Sequence, residues 1–403
     1  MSVGLMIRVA YDKGRSVQRC RVRIFRSLAI KRWTGMRVDE PKYSITIYFL
    51  PVSFMVLFLV VGLGWGDGAF AFVTLKQESD KSGRALNVTG KQLSQQDSNQ
   101  LKPPIRLVSK EKRSQFDGNR SFDYLADVCK IGPRPSASKG MEKQKKYIQT
   151  HFESIGGQFL QQEFIAKSPY SGKNVKLHNL LIRWNPERAR RILICCHHDT
   201  RPFADADKRN PRAKFIGAND GGSGVALLCE LGHHIESLDG VFGIDFVFFD
   251  GEEFVIQRPR DRMFLGSTFF AEQYSRGVPK WRYECAVLVD MVADKDLQLP
   301  LEGNSLHFAR GLTEEIWDVA REIGVKEFVP EEFKFVRDDH LPLNEIAKIP
   351  TCDIIDFNFP NPTAGNIYWH TREDKLENCS AESLGKVGSV VLAWLQKKQR
   401  AEN

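Results

Sequence analysis

The sequence is poor in cysteine and lacks the glycine motifs that bind phosphates. Eight cysteines in 403 residues are too few for a disulfide scaffold, and none of their spacings matches a cysteine-based zinc site. No phosphate-binding loop, dinucleotide-type glycine motif or internal repeat is present. These absences argue against a nucleotide-binding enzyme, a zinc finger and a repeat protein.

Most of the sequence also lacks an excess of positive charge. The net charge is +8, but residues 1–43 alone contain 11 Lys+Arg and only 3 Asp+Glu. The remaining 360 residues contain 47 of each kind. The basic character therefore belongs to an N-terminal leader, and we expect no nucleic-acid partner for the rest of the chain.

An uncharged apolar segment follows the basic leader. Residues 44–64 are long enough to cross a bilayer, and the basic residues before them favour membrane targeting. Two alternatives stay open for residues 44–71: an uncleaved signal anchor facing outward, or a signal peptide cleaved at Ala69-Phe70-Ala71. A translation start at Met36 would favour cleavage. In both cases we expect an exported protein, either membrane-anchored or periplasmic or secreted.

The rest of the chain divides into a polar segment and a folded domain. Residues 72–118 are rich in Lys, Gln, Ser, Asn and Asp, which predicts a flexible linker. From 119 to 400, short apolar runs alternate with amphipathic stretches. This pattern predicts a single α/β domain with a mostly parallel, twisted central sheet flanked by helices. The predicted strands are 177–184, 191–196, 244–249, 285–289 and 352–357.

Five short motifs place a histidine or a carboxylate where an apolar run gives way to a polar or glycine-rich turn. Because ligands bind beyond the carboxyl ends of strands in such sheets, we expect these groups to share one edge of the sheet. Together they supply imidazole and carboxylate ligands of the kind that zinc accepts in hydrolase-like sites. The motifs are His197-His198-Asp199, Asp220 within 217–224, residues 250–253, Asp290 and Trp369-His370-Thr371.

The residue types within these motifs suggest particular roles. The glycines after Asp220 allow the backbone to approach a ligand closely. Glu252 and Glu253 are adjacent carboxylates, which repel unless a cation or a proton separates them. One of them is therefore predicted to bind metal, and the other to carry a proton. Asp290 ends an apolar strand, where an acid needs a partner or a metal.

These motifs resemble those of peptidase family M28, and within it the glutaminyl-peptide cyclotransferases (glutaminyl cyclases). The order His-x-Asp, Gly-Ala-x-Asp, Asp-Gly-Glu-Glu, a strand-ending Asp and a late His-Thr is similar throughout. The resemblance covers about 120–397 and implies a zinc-exopeptidase-like fold.

Three features favour the cyclase branch of this family, and two favour its aminopeptidases. The cyclase features are a 12-residue insert (254–265) after Glu253, the acid–imidazole motif Asp338-Asp339-His340, and Trp369 before His370. Against them, Gln257 stands in the insert where cyclases carry a second pocket tryptophan. The run Asp220-Gly-Gly-Ser-Gly is also more similar to the aminopeptidase version.

The resemblance to the cyclases implies a role for each candidate residue. Asp220, Glu253 and His370 would bind one Zn²⁺, and Glu252, Asp290 and Asp338 would be catalytic. Trp369 and His197 would belong to the substrate pocket.

The substrate implied by the resemblance is the N-terminal glutamine of peptides or proteins, which would become pyroglutamate. One alternative is a di-zinc M28 aminopeptidase in which His197 and Asp290 hold a second zinc. Another is a membrane-tethered binding protein without catalytic turnover.

Overall fold

The structure is a computed structural model. It describes residues 115–256, 262–277, 280–360 and 368–400 in full, and before them only the backbone of six short strands. The chain divides into two units, Met1–Ser109 and Lys110–Asn403, and each is considered by itself.

The first unit contains two small antiparallel sheets, formed by β1 to β3 and by β4 to β6. Apart from these strands, the structure does not describe the predicted basic leader or the membrane-targeting segment 44–71. Of the predicted linker 72–118, it describes only residues 72–75 and 115–118. No helix among the described residues is long and apolar enough to span a bilayer. Export and membrane targeting stay predictions. The strands are β1 (Met6–Ala10), β2 (Arg21–Arg26), β3 (Ala29–Ile30), β4 (Ile45–Ile47), β5 (Leu59–Gly64) and β6 (Phe70–Leu75).

The second unit is built around a six-stranded sheet. Its strands are β7 (Gln158–Lys167), β8 (Asn174–Trp184), β9 (Arg190–His197), β10 (Gly243–Phe249), β11 (Arg282–Asp290) and β14 (Thr351–Ile355). The strand order is β14-β11-β9-β10-β8-β7. β9 pairs in parallel with β10 and β11, and β11 with β14, whereas β8 runs antiparallel to both of its neighbours. A separate parallel pair consists of β12 (Leu299–Leu301) and β13 (Phe328–Glu332).

The inner strands of the sheet are apolar on both faces. On β9, Ile192 and Ile194 pack into the larger hydrophobic core, while Leu193 and Cys195 pack into a smaller core on the opposite face. Because successive side chains of a strand alternate between faces, a strand that contributes to two cores has no polar side. This burial explains the continuous apolar runs in the sequence.

Helices cover both faces of the sheet. Helices α1, α2, α3, α5 and α7 contribute to the larger core, and α4 and α6 to the smaller core. The helices are α1 (Gly118–Ile131), α2 (Lys139–Ser154), α3 (Gly224–Ile235), α4 (Leu265–Arg276), α5 (Gly303–Ile323), α6 (His340–Glu345) and α7 (Ala381–Arg400).

The prediction of an α/β domain with a central sheet between helices is confirmed. The five predicted strands coincide with β8, β9, β10, β11 and β14. The sheet is more mixed than predicted, because β8 is antiparallel to its neighbours. The sequence prediction also lacks β7, an edge strand that buries only Phe164 and Ala166 and so has no continuous apolar run.

The folded structure begins slightly before the predicted boundary at 119. Phe116 is buried against α7, where a Cβ added to Gly388 would come within 2.2 Å of its ring. The side chain of Asp117 accepts hydrogen bonds from the backbone N–H groups of Asn119 and Arg120. Asp117 therefore caps α1, and the last residues of the predicted linker pack with the domain.

A buried ion pair joins neighbouring strands of the sheet. Arg191 on β9 donates to both carboxylate oxygens of Asp245 on β10, with Nε 3.2 Å from Oδ2. Tyr283 on β11 donates its hydroxyl to Asp245 Oδ2 at 2.6 Å. The side chains of Arg191 and Asp245 are 1% and 0% exposed, whereas those of the adjacent pair Arg190 and Glu284 are 36% and 24% exposed.

We expect Asp245→Asn to lower the free energy of unfolding by about 3–5 kcal/mol, because it leaves the buried Arg191 without its countercharge. The control Glu284→Gln weakens a solvent-exposed pair and should cost less than about 1 kcal/mol. Urea denaturation followed by circular dichroism measures both values. Equal losses in the two variants would contradict this account of the pair.

Candidate metal centre and active site

Three parallel strands end at one edge of the sheet, and each delivers ionisable groups there. β9 ends at His197, β11 ends at Asp290, and β10 is followed directly by residues 250–253. The candidate site lies beyond the carboxyl ends of these strands, as expected for a sheet of this kind. Motifs that are far apart in the sequence are thus close together in the structure.

Asp220 reaches the site from a distorted turn, Asn219–Ser223, that precedes α3. Gly221 has φ +80°, and a Cβ there would lie 2.4 Å from the backbone oxygen of Asp199. Only glycine therefore fits between this turn and the end of β9. Asp374 holds the turn from the other side, since it accepts hydrogen bonds from the N–H groups of Asn219 at 2.7 Å and Asp220 at 3.1 Å.

Two groups of three side chains could each hold a metal ion, and both include Asp220. The potential ligand atoms within each group lie within 4.8 Å of one another, and all the side chains are buried. The first group contains Asp220, Glu253 and His370, and the second contains His197, Asp220 and Asp290.

The carboxylate of Asp220 lies between the two imidazoles. Its Oδ1 is 3.3 Å from His197 Nε2, and its Oδ2 is 3.4 Å from His370 Nε2. Each imidazole contacts a further acid, with His197 Nε2 3.1 Å from Asp290 Oδ1 and His370 Nε2 3.0 Å from Glu253 Oε1. Asp220 is thus placed to bridge two cation positions.

The electrostatics of the site call for positive charge. Burial by itself would lower the pKa of His370, but the nearby Glu253 and a hydrogen bond with Asp205 raise it to about 10. Burial likewise opposes the charged form of His197, yet Asp290 and Asp199 hold its pKa well above the ordinary value. The carboxylates therefore need either protonated imidazoles or a metal cation between them.

Arg201 and Asp205 form a support behind the site that the sequence motifs did not reveal. Arg201 is 2% exposed, and its Nε lies 3.0 Å from Glu253 Oε2. It also forms an ion pair with Asp205, whose Oδ1 lies 3.2 Å from His370 Nδ1. Arg201 and Asp205 thus connect two candidate ligands behind the site and fix their orientation.

Glu252 and Glu253 lie in different environments. Glu253 contacts His370 and Arg201, and these two cations keep its pKa below the ordinary value despite burial. Burial and the charge of Glu253 instead raise the pKa of Glu252 well above the ordinary value. Asp199 accepts from both backbone N–H groups, at 3.2 and 3.1 Å, and fixes this turn.

The acids near α6 separate into two environments. Asp338 lines the cleft, and burial together with Asp290 raises its pKa well above the ordinary value. Asp339 points elsewhere and accepts a hydrogen bond from Ser267. His340, the third residue of the acid–imidazole motif, is buried between two other acids. Its Nε2 lies 3.4 Å from Glu302 Oε2, and its Nδ1 lies 3.5 Å from Asp353 Oδ2.

These residues open into a cleft of about 420 Å³. Trp369 forms one wall, and its ring stacks on His370 at a centroid distance of 3.7 Å. Residues 257–261 of the insert, which include Gln257, lie outside the described residues. The cleft is lined by Asp220, Glu252, Glu253, Arg262, Met263, Phe264, Asp290, Lys334, Phe335, Val336, Arg337, Asp338, Ile355, Phe357 and Trp369.

The structure brings the candidate site residues together at one edge of the sheet. His197 is among them, but it does not line the cleft. Its side chain is 2% exposed and lies among Asp199, Asp220 and Asp290. It therefore belongs to the second ligand group rather than to the pocket surface. Among the supporting residues, Arg201 lies near a sequence motif, two positions after Asp199.

Comparison with known proteins agrees with this geometry. The sequence profile of Peptidase family M28 matches residues 179–395. The crystal structure of Fimbriiglobus ruber glutaminyl cyclase is 38% identical, with a TM-score of 0.66, and the alignment covers 71% of this chain and 96% of that one. The chain belongs to peptidase family M28, in its glutaminyl cyclase branch.

Other members of the family are similar over the same region. A Zn-dependent exopeptidase from Parabacteroides distasonis is 31% identical, covers 70% of this chain and 99% of that one, and has a TM-score of 0.65. Glutaminyl-peptide cyclotransferase of Bos taurus is 24% identical over 260 residues, which are 58% of this chain and 68% of that protein. The chain is therefore an enzyme of a family whose members have more than one activity.

We expect Arg201→Gln to lower the free energy of unfolding of the metal-free enzyme by about 3–5 kcal/mol, since Glu253 and Asp205 lose their buried countercharge. Arg372→Gln is the matched control, because Arg372 is 46% exposed and its partner Asp207 keeps hydrogen bonds from the backbone N–H groups of Arg209 and Asn210. Its loss should stay below about 1 kcal/mol. Denaturation in the presence of a chelator measures both, and an unchanged stability of Arg201→Gln would contradict the role assigned to this residue.

Proposed function

We propose that the enzyme is a zinc-dependent glutaminyl cyclase that converts the N-terminal glutamine of peptides or proteins to pyroglutamate and releases ammonia. The observation that carries this proposal is the lining of the cleft, where Trp369 stacks on the candidate ligand His370 and residues 262–264 of the insert line the same cleft. The 38% identity to the Fimbriiglobus ruber glutaminyl cyclase across 96% of that chain supports it.

The residues present fit a zinc ion. Asp220, Glu253 and His370 offer two carboxylates and an imidazole, a ligand set that zinc accepts. Asp220 Oδ2 is buried and makes no hydrogen bond among the described residues, as expected of an atom that would bind a cation. When bound, zinc would act as a Lewis acid toward the side-chain amide of the substrate glutamine.

Glu252 is the proposed proton carrier. It would accept a proton from the α-amine of the substrate as the amine nitrogen bonds to the side-chain amide carbon. It would then donate the proton to the departing nitrogen as the original C–N bond breaks, so that ammonia leaves. Its raised pKa suits a group that must bind and release a proton within one cycle. Because the amine and the amide belong to the same residue, attack is intramolecular and proximity lowers the barrier.

The other residues of the cleft would hold the substrate in a reactive arrangement. Asp290 and Asp338 would hydrogen-bond around the tetrahedral centre, and their raised pKa values allow a protonated carboxyl to donate. Trp369 would pack against the glutamine side chain. The N-terminus of a peptide or protein is therefore the partner that we propose for this cleft.

The main alternative is a di-zinc aminopeptidase of the same family. The second ligand group, with His197, Asp220 and Asp290, is complete in the structure. In that enzyme Glu252 would deprotonate the water that attacks the peptide bond. The third alternative, a binding protein without turnover, is disfavoured because neither a ligand nor Glu252 is missing.

Incubation with a Gln-peptide and a Leu-peptide of otherwise identical sequence separates the two activities. We expect the Gln-peptide to lose the mass of one ammonia molecule and to keep its length, while the Leu-peptide stays intact. Mass spectrometry together with an ammonia assay measures both products. Release of free leucine or glutamine without pyroglutamate would overturn the cyclase proposal.

Glu252→Gln provides the control within the active site. Removal of the proton carrier should lower kcat by about 10²–10⁴-fold and leave the circular dichroism spectrum and the zinc content as in the wild type. Wild-type turnover in this variant would show that another group carries the proton.

Metal analysis tests the ligand assignment independently of turnover. We expect one zinc per chain, lost in His370→Ala and retained in His197→Ala, because His197 Nε2 is already engaged with Asp290. Mass spectrometry of metals after dialysis measures the stoichiometry. Two tightly bound zinc ions, one of them lost in each variant, would instead support the aminopeptidase.

A further inference from the structure

The cleft has an acidic floor and a basic rim. Asp220, Glu252 and Glu253 form part of the floor and are buried, whereas Arg262, Lys334 and Arg337 line the same cleft with exposed side chains. The floor would hold the zinc and the positively charged N-terminus of a substrate. The rim presents the opposite charge to whatever part of the substrate lies further out.

Two of the rim cations, Lys334 and Arg337, lie against aromatic rings. Lys334 Nζ lies 5.0 Å from the ring centroid of Phe333 and 4.9 Å from that of Phe357. The Arg337 guanidinium lies 5.9 Å from the ring of Phe264. Such contacts orient a cation but leave its charge available. Within the described part of the chain, none of Arg262, Lys334 and Arg337 forms an ion pair.

Among the described residues that line the cleft, every exposed charged side chain is basic. Two acids precede the rim on β13, Glu331 and Glu332, but neither lines the cleft. Charges in a cleft with low-dielectric walls act more strongly on a ligand than they would on an open surface.

An exposed aromatic side chain lies among the rim cations. Phe335 is 69% exposed although it lines the cleft. Its ring is supported from below, because a Cβ added to Gly303 at the start of α5 would lie 3.1 Å from it. A ring anchored in this way offers a surface on which a peptide backbone can pack.

We propose that this rim selects substrates with Asp or Glu at the second or third position. The inference rests on the proposed function, which places the N-terminal glutamine on the acidic floor. In an extended peptide each further residue adds about 3.3–3.6 Å, so the next two side chains leave the floor and reach the mouth of the cleft. Carboxylates there would meet Arg262, Lys334 and Arg337, whereas lysine or arginine would be repelled.

Peptide amides of matched length test this proposal, since an amidated C-terminus leaves side-chain carboxylates as the only anionic groups. We expect kcat/KM for Gln-Glu-Glu-Ala-amide to exceed that for Gln-Ala-Ala-Ala-amide by about tenfold at low ionic strength, mainly through KM. The ratio should fall toward one in about 0.5 M salt, because exposed charges are then screened over a few ångströms. Gln-Lys-Lys-Ala-amide should be the poorest of the three.

The double substitution Arg262→Glu and Lys334→Glu should invert this order and favour the lysine peptide. Lys143→Glu is the control, because Lys143 is an exposed cation on α2 that does not line the cleft. It should preserve the wild-type ratio between the acidic and neutral peptides. A wild-type ratio near one, or an unchanged ratio in the double variant, would overturn the proposal.

Binding measurements separate this proposal from the proposed reaction. Calorimetric titration of the same peptides into full-length Glu252→Gln compares their Kd values without turnover. If no peptide is cyclised by the wild type but the acidic peptide still binds about tenfold more tightly, the rim is supported and the cyclase reaction is not. If all are cyclised and their Kd values are equal, the reaction is supported and the rim proposal is overturned.

Discussion

The concentration of buried carboxylates at one edge of the sheet is the constraint on which the rest of the site depends. Acids that are removed from water need a proton or a cation close by. Positive charge comes from two imidazoles and from the guanidinium of Arg201, and the two ligand groups are placed to hold a metal cation. The mixed sheet makes the concentration possible, because its parallel strands end together and their apolar flanks are buried on both faces.

The ligands themselves do not distinguish a cyclase from an aminopeptidase, since both groups around Asp220 are complete. The distinction that we propose lies in the surroundings of the cleft, where Trp369 stacks on His370 and residues 262–264 of the insert line the same cleft. A cyclase needs a closed site in which one residue folds onto itself. An aminopeptidase needs room for a water molecule placed to attack the bond after the first residue. Selection between two reactions on one scaffold therefore depends on loops rather than on the sheet.

The sequence predicted those parts of the molecule that have a local signature. Buried strands appear as apolar runs, and Asp220, Glu253 and His370 stand in motifs at strand ends or glycine turns. The edge strand β7 has no such run, and it escaped prediction. Asp205 and Asp374 also escaped, because their roles arise from contacts with residues that are remote in sequence. The position of His197 beneath the cleft depends on its contacts with Asp220 and Asp290, which spacing alone does not show.

The two hydrogen bonds that Asp374 accepts from the turn at Asn219 and Asp220 span 155 and 154 residues of sequence. These two of the contacts that hold the turn with the shared ligand can therefore form only after nearly the whole domain has been synthesised. His370 becomes available at almost the same point in the chain. A nascent chain that ends before this segment contains the strands of the sheet together with Asp220 and Glu253. It still lacks both His370 and Asp374. Assembly of the centre is thus coupled to completion of the fold, and incomplete chains cannot carry out its chemistry.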